Sequence, residues 1–229
     1  MRRLVVGLAL LSLGGSMPAT AHHVGTFIPK DDDITKNVKD IKAATAAGRF
    51  DLAVRLFDDG VVHGTMEKQE KRLPRGLEDG LRSALRRGNL PGVDLRLAIF
   101  LIFLTDERLA DTLARLSAAD VPAERRRDQA RKLINAAWRY YNLADFVVSA
   151  HDARTGVALR MGFEDAQTFL GGMMVDPMWA AAAKRNPVPP DEARAARVVS
   201  SMRETLRRFI AAAAAVAGSG GARGFLPGR

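Results

Sequence analysis

The stretch VDLRLAIFLIFL, residues 93–104, decides the fold because it is apolar on nearly every side. A helix that is apolar all round has no face for solvent and must be enclosed by other elements. Thr105 and Asp106 follow the stretch, and residues of these types are typical of a helix start. We therefore expect a central, fully buried helix here, with a shorter helix beginning after it.

Amphipathic helices are predicted on both sides of this central stretch. Apolar residues recur there at helical spacing, as at Ile34, Val38 and Ile41, where Asp33 is placed as an N-cap. No stretch alternates convincingly at the period of a strand. The sequence thus predicts an all-α, soluble bundle of about six to eight helices. The predicted segments are residues 34–47, 50–58, 74–87, 93–104, 105–116, 122–150, 157–170 and 191–218.

The N-terminus has the pattern of an export signal. Arg2 and Arg3 precede an apolar stretch, residues 4–13, and the sequence ATA at residues 19–21 suits signal peptidase cleavage. We expect residues 1–21 to be removed and the protein to be periplasmic or secreted. The remaining chain is then an N-terminal arm (22–33), one helical-bundle domain (34–218) and a flexible tail (219–229).

Composition narrows the possible functions. The chain has no cysteine, which excludes thiolate metal sites, haem attachment through C-x-x-C-H and thiol catalysis. Its formal net charge is +9, but the basic residues are spread out and lack the aromatic platform that single-stranded nucleic acid needs. After the leader, the longest apolar runs are far below the roughly 20 residues of a membrane span. We expect no nucleic-acid partner and no transmembrane segment in the mature chain.

Cleavage after Ala21 would place two histidines at the front of the mature protein. The α-amino group and the imidazole of His22 would then be able to chelate a divalent metal ion, with His23 or His63 completing the ligand set. Copper or iron is the expected ion, since copper leads the affinity order for nitrogen ligands. The alternative interpretation is a solvated N-terminus with two incidental histidines.

A second candidate metal site combines His63, Met66 and Glu67. Their spacing puts all three on one face if the segment is helical. Imidazole with thioether suits copper, and imidazole with carboxylate suits iron, zinc or manganese. Gly64 disfavours a firm helix, so a surface loop with a lone histidine is the alternative interpretation.

Methionines form a third group near the C-terminal third of the chain. Met173, Met174 and Met178 lie beside Trp179 and offer soft ligands for Cu(I). Methionines next to glycines and a tryptophan also fill irregular gaps in a core, which is the alternative interpretation.

Two features of the later helices are expected to have structural roles. Arg160 and Glu164 stand four residues apart and are expected to pair along one helix. Tyr140 lies between Trp138 and Tyr141, and the three rings cannot all face inward. We expect Tyr140 to reach a surface or a partner helix.

The sequence contains no G-x-S-x-G, no H-E-x-x-H and no glycine-rich phosphate loop, which favours a non-enzymatic role. The leading hypothesis is an exported bundle that binds copper or iron as an accessory to a transporter or metalloenzyme. The alternative is a cofactor-free periplasmic module that binds a protein partner or acts as a scaffold. An enzyme acting in an interhelical cleft stays open as a third class.

Overall fold

A computed structural model describes residues 30–171 and 188–218 of the chain. These residues form eight helices and no strand, so the predicted all-α bundle of six to eight helices is confirmed. None of these helices has the length and hydropathy of a membrane-spanning segment. The helices are α1 (Asp33–Ala46), α2 (Phe50–Asp58), α3 (Val61–Lys68), α4 (Leu77–Arg86), α5 (Leu90–Leu116), α6 (Ala123–His151), α7 (Ala153–Phe169) and α8 (Glu192–Gly218).

Helix α5 is the centre of the bundle, as predicted. Side chains from every side of it are buried, including those of Leu95, Ile99 and Phe100. The long helices α6 and α8 pack along it, and α4 covers its N-terminal part. A helix with no solvent face is stable only when it is enclosed in this way, because its apolar surface would otherwise stay hydrated.

The predicted helix boundary at Thr105 and Asp106 is wrong, because α5 continues through both residues. The Thr105 hydroxyl donates a hydrogen bond to the Leu101 carbonyl oxygen, 2.8 Å away, within the same helix. The Asp106 carboxylate accepts hydrogen bonds from Arg203 in α8. Both residues suit a helix start, but here their polar groups have partners that leave the helix intact.

The four short helices that precede α5 depart from prediction at three places. The N-cap of α1 is Asp32 rather than Asp33, since its Oδ1 accepts a hydrogen bond from the Thr35 backbone N–H over 2.8 Å. Helix α4 begins at Leu77 instead of Pro74, after a turn that ends in Gly76 with φ of 69°. Residues 61–68 form α3 despite Gly64, so the alternative interpretation of a surface loop around His63 is wrong.

Helices α6 and α7 form an antiparallel hairpin that turns at Asp152. The Asp152 carboxylate caps α7, which therefore begins at Ala153 rather than at residue 157. Two pairs of residues define what we call the α6–α7 seam. In the first, Arg160 donates a hydrogen bond to Asp145 over 2.7 Å. In the second, Gly156 lies so close to Ser149 that a Cβ at this position would overlap the serine side chain.

Aromatic packing and a second glycine fix the hairpin to the rest of the bundle. The ring of Phe163 in α7 lies 5.1 Å from that of Trp138 and 5.3 Å from that of Tyr141, both in α6. Gly162 of α7 lies against the side chain of Met202 in α8. The hairpin is therefore fixed by packing within itself and against α8.

Candidate functional site

Some of the predicted metal ligands cannot be placed. His22 and His23 lie outside the described residues, as do Met173, Met174, Met178 and Trp179. His63, Met66 and Glu67 lie in α3, and their surroundings are described below. Residues 30–171 and 188–218 contain no group of three or more His, Asp or Glu side chains arranged to hold a metal ion. The metal site predicted from the sequence therefore remains a prediction.

His63 is held at the junction of α2, α3 and α4 by both of its ring nitrogens. Its Nδ1 lies 3.0 Å from the Asp58 carbonyl oxygen, and its Nε2 lies 3.0 Å from an Nη of Arg82 and 3.1 Å from Glu78 Oε1. With the proton on Nδ1, the ring donates to the Asp58 carbonyl oxygen and accepts from Arg82, while Glu78 accepts from the same guanidinium rather than from the ring. We call these four residues with Glu67 the His63 cluster.

Arg82 supplies the positive charge at the centre of the His63 cluster. It donates to the Asp58 carboxylate over 2.8 Å and to Glu78 over 3.1 Å, and these partners raise the pKa of its guanidinium above the usual value. The guanidinium also lies 5.4 Å from the centre of the Phe57 ring. A cation bound at His63 Nε2 would have to displace Arg82 from these contacts.

Met66 and Glu67 face different surroundings, although both follow His63 on α3. Met66 is only 1% exposed and belongs to the hydrophobic core, whereas the Glu67 side chain is 63% exposed. Glu67 Oε1 lies 3.8 Å from His63 Nε2, at the outer limit of an ion pair. Of the two neighbours expected from the spacing, only the carboxylate thus lies on the solvent side of the ring.

An open cleft of about 830 Å³ lies next to the His63 cluster, between α3 and the start of α4. Its charged lining is mixed and includes Glu70, Asp79, Lys71 and Arg75. A cleft of this kind lacks the enclosed apolar wall that small-molecule sites use to exclude water. The cleft therefore gives solvent access to one side of the His63 cluster, and its lining does not indicate a particular reaction.

Trp138, Tyr140 and Tyr141 are all buried, so the expectation that the three rings cannot all face inward is wrong. Tyr140 does reach a partner helix, as expected, and its hydroxyl donates to Oδ2 of Asp32, the N-cap of α1, over 2.8 Å. Arg139 donates to the same oxygen over 2.9 Å. Burial raises the pKa of Asp32, but hydrogen bonds from Thr35, Tyr140 and Arg139 outweigh burial and hold the pKa below its usual value. Burial, and then the bond to Asp32, raise the pKa of Tyr140 to about 12.

Arg160 does not pair with Glu164 as expected, because it reaches across the seam to Asp145. The same carboxylate accepts a hydrogen bond from the Tyr141 hydroxyl over 2.7 Å. Burial, and then the neighbouring Asp145, raise the pKa of Tyr141 above the usual tyrosine range. Glu164 is left exposed on α7.

Three large apolar side chains lie on one outward surface of the α6–α7 hairpin. Phe146 is 65% exposed, Val157 49% and Met161 58%. Each lies one position after a seam residue, as Phe146 follows Asp145 and Met161 follows Arg160. In two antiparallel helices, a step of one residue past the seam turns both side chains toward the same side of the pair. We call this surface the outer hairpin face.

The opposite side of the hairpin confirms this placement. One position before the seam residues stand Ala144, Val148 and Leu159, and all three are buried. That side therefore faces the core, while the outer hairpin face is turned toward solvent.

Charged residues border the outer hairpin face at the two ends of α7. Arg154 is exposed near the N-terminal end, and Glu164 and Asp165 are exposed near the C-terminal end. Within the part of the chain that the structure describes, none of the three side chains forms an ion pair. An apolar centre with a charged rim is the usual composition of a protein-binding surface.

No family model, curated protein or solved structure matches this chain. Function is therefore inferred from the chain's own side chains. Two arrangements are available for that purpose, the His63 cluster with its internal guanidinium and the outer hairpin face with its unpartnered apolar side chains.

Sequence reasoning missed Arg82 and Phe146. Arg82 lies 19 positions from His63, so no local spacing connects them. Phe146 could have been found, because it falls outside the helical stripe formed by Ile134, Tyr141 and Val148. An aromatic residue outside the buried stripe of an amphipathic helix indicates an apolar surface that faces away from the core.

Proposed function

We propose that this chain is an interaction module that works after export, holds no cofactor and binds a protein partner through the outer hairpin face. One observation carries the proposal, namely that Phe146, Val157 and Met161 lie on the same side of the α6–α7 hairpin with about half or more of each residue exposed. Single exposed apolar residues are ordinary, but adjoining large ones mark a surface that is covered in the working protein.

The packing between α6 and α7 supports this assignment. The seam contact between Asp145 and Arg160 and the packing of Phe163 against Trp138 hold the two helices in one arrangement. A surface that is already ordered loses little conformational entropy when a partner binds. The three apolar side chains are therefore positioned for binding rather than for local collapse.

The export part of the proposal rests on the leader pattern of residues 1–21. It is tested by expressing the full chain in a Gram-negative host and measuring the mass of the periplasmic product. Loss of residues 1–21 supports export with His22 as the first residue. Retention of the intact chain in the cytoplasm contradicts it.

The docking surface is tested by photo-crosslinking in the full chain, with p-benzoylphenylalanine in place of Phe146. We expect a discrete adduct, identified by mass spectrometry, that disappears when Met161→Glu is added. The matched control carries the photo-reactive residue at Leu90, which is 44% exposed at the start of α5. Absence of an adduct at Phe146, or an equal adduct at Leu90, contradicts the proposal.

A metal-binding role is the second candidate, and one observation favours it. His63 Nε2 lies 3.1 Å from Glu78 and 3.8 Å from Glu67, on the solvent-accessible side of α3. In this proposal copper or iron is bound by His22 and His23 with His63 and Glu67, and with Met66 after rearrangement. The protein would then serve a transporter or metalloenzyme.

The metal proposal is tested by thermal unfolding of the processed protein in the presence of Cu(II) or Fe(II), since an ion that binds only the folded chain raises the midpoint. We expect His63→Ala to reduce the shift, and Arg82→Gln to increase it because it frees Nε2. A midpoint that does not move with either ion, or a shift that both variants leave unchanged, contradicts a site at His63.

A further inference from the structure

We propose that the outer hairpin face binds a second copy of this chain, with the two α7 helices antiparallel and Arg154 of each copy opposite Glu164 of the other. This inference rests on the proposed docking function of the same face. It adds the identity of the partner and the register in which the two copies meet.

The spacing of exposed residues on α7 supports the register. Arg154, Val157, Met161 and Glu164 follow one another at intervals of three, four and three residues, which keeps them on one side of the helix. Leu159 lies midway in sequence between Val157 and Met161. It also lies midway between Arg154 and Glu164. A two-fold axis at the level of Leu159 therefore brings each Val157 to a Met161 and each Arg154 to a Glu164.

The charge pattern distinguishes this arrangement from the parallel one. Antiparallel helices form two ion pairs between Arg154 and Glu164, whereas parallel helices in register place like charges opposite each other. Both side chains are exposed, and neither forms an ion pair among the residues that the structure describes. A surface that is complementary to itself after a two-fold rotation is what an isologous dimer requires.

Phe146 lies at the level of the same axis, because the contact between Asp145 and Arg160 places Phe146 of α6 level with Leu159 of α7 along the hairpin, although the two side chains point to opposite sides. When two hairpins meet face to face about this axis, the two Phe146 rings meet at its centre. An aromatic pair at the centre of an interface, bordered by charges, is the usual placement of the residues that carry affinity.

The size of the face predicts a weak dimer. Stable interfaces bury about 800 Å² on each partner, and a surface centred on three large side chains of two helices is smaller than that. We therefore expect a concentration-dependent equilibrium between monomer and dimer in the micromolar range.

Sedimentation equilibrium of the processed chain over a series of concentrations is the first test. We expect Met161→Glu to remove the dimer and Leu90→Glu, on another surface, to leave it unchanged, with the same helical circular dichroism in both. We expect Arg154→Glu to weaken the dimer roughly tenfold. Adding Glu164→Arg to that variant should restore it.

The register is tested by disulfide formation, which is simple to interpret because the chain contains no cysteine. In an equimolar mixture of Val157→Cys and Met161→Cys proteins, we expect a covalent dimer under mild oxidation. Either variant alone should link slowly, since its thiols lie on opposite sides of the axis.

Two results overturn the inference. The first is a monomer at every concentration. The second is a dimer that Arg154→Glu does not weaken, together with equal disulfide formation by the Val157→Cys and Met161→Cys proteins alone and in their mixture. Failure of the inference is distinguishable from failure of the proposed function. A photo-crosslinked adduct at Phe146 with a different protein, together with a monomer in sedimentation, retains the docking surface and rejects the second copy.

Discussion

Arg203 of α8 donates a hydrogen bond from Nε to Asp106 Oδ1 in the middle of α5, over 2.7 Å. A second bond from the same guanidinium reaches Oδ2, and Arg207 adds a third from one turn further along α8. The Asp106 side chain is only 10% exposed. Three charge-assisted bonds therefore satisfy a carboxylate that would otherwise be costly to bury, and they join the last helix to the centre of the bundle.

Asp106→Asn is expected to destabilise the protein by about 3 kcal/mol, because it leaves the Arg203 guanidinium largely buried without a negative partner. The measurement is the free energy of unfolding in urea. Asp111→Asn serves as the control, since Asp111 pairs with Arg108 at the surface and such pairs contribute about 0.5 kcal/mol. Equal losses in the two variants would contradict a special role for Asp106.

The contact between Asp106 and Arg203 shows why the sequence predicted the centre of the fold but not the length of its central helix. Residues 93–104 are apolar on nearly every side, and only an enclosed helix suits such a stretch. Asp106 has the local character of a helix start, and its partner Arg203 lies 97 positions away. Spacing within one helix carries no information about a contact at that distance.

The candidate site was predictable to a smaller degree. The spacing of His63 and Glu67 makes them neighbours only if the segment is helical, and the structure forms that helix and brings them within 3.8 Å. Arg82 and Glu78 come from another helix, and only packing reveals that the cluster contains its own cation. Val157 and Met161 show a helical spacing, but a sequence alone does not show which side of α7 lacks a neighbour.

Gly80→Ala is expected to destabilise the protein by about 1 to 2 kcal/mol, although alanine is the better helix former. A Cβ at Gly80 would lie 2.5 Å from Nε of Arg96 and force that side chain to move. Arg96 is nearly buried and donates to the Ala217 carbonyl oxygen over 2.7 Å, which joins α5 to the end of α8.

The control for this prediction is the same substitution in an Arg96→Met background, where the flexible thioether can yield to the new methyl group. In that background we expect Gly80→Ala to lower the free energy of unfolding by a smaller amount, or to raise it. Chemical unfolding of the four proteins gives the coupling between the two positions. Additive effects would contradict the proposed contact.

The contribution of Asp32 to stability is expected to disappear in acid. Because hydrogen bonds hold its folded pKa below the unfolded value of about 4, the stabilisation is present above that pH and is lost as the pH falls toward the folded pKa. We expect the difference in unfolding free energy between wild type and Asp32→Asn to be about 1 to 2 kcal/mol at neutral pH and to shrink near pH 3.

Asp33→Asn is the matched control for Asp32. The Asp33 side chain is 85% exposed and pairs with Lys36 at the surface, so the substitution should change stability little at either pH. Asparagine at position 32 still caps α1, and the measured difference therefore reports the charge rather than the cap. A difference for Asp32→Asn that is the same at both pH values would contradict the assignment.

The two tyrosines of the chain are expected to resist ionisation while the protein is folded. Burial and the bond to Asp32 raise the pKa of Tyr140 to about 12, so its contribution to stability is fully present below the unfolded pKa of about 10 and is lost as the pH rises from there through 12. Absorbance of tyrosinate in Tyr141→Phe, where Tyr140 is the one remaining tyrosine, should rise with a midpoint near 12. Denaturant should return the midpoint to about 10, and Asp32→Asn should lower it in the folded protein because the acceptor loses its charge. A folded-state midpoint near 10 in Tyr141→Phe would show that Tyr140 is neither enclosed nor bonded to Asp32, and the contact between α6 and the cap of α1 would be rejected.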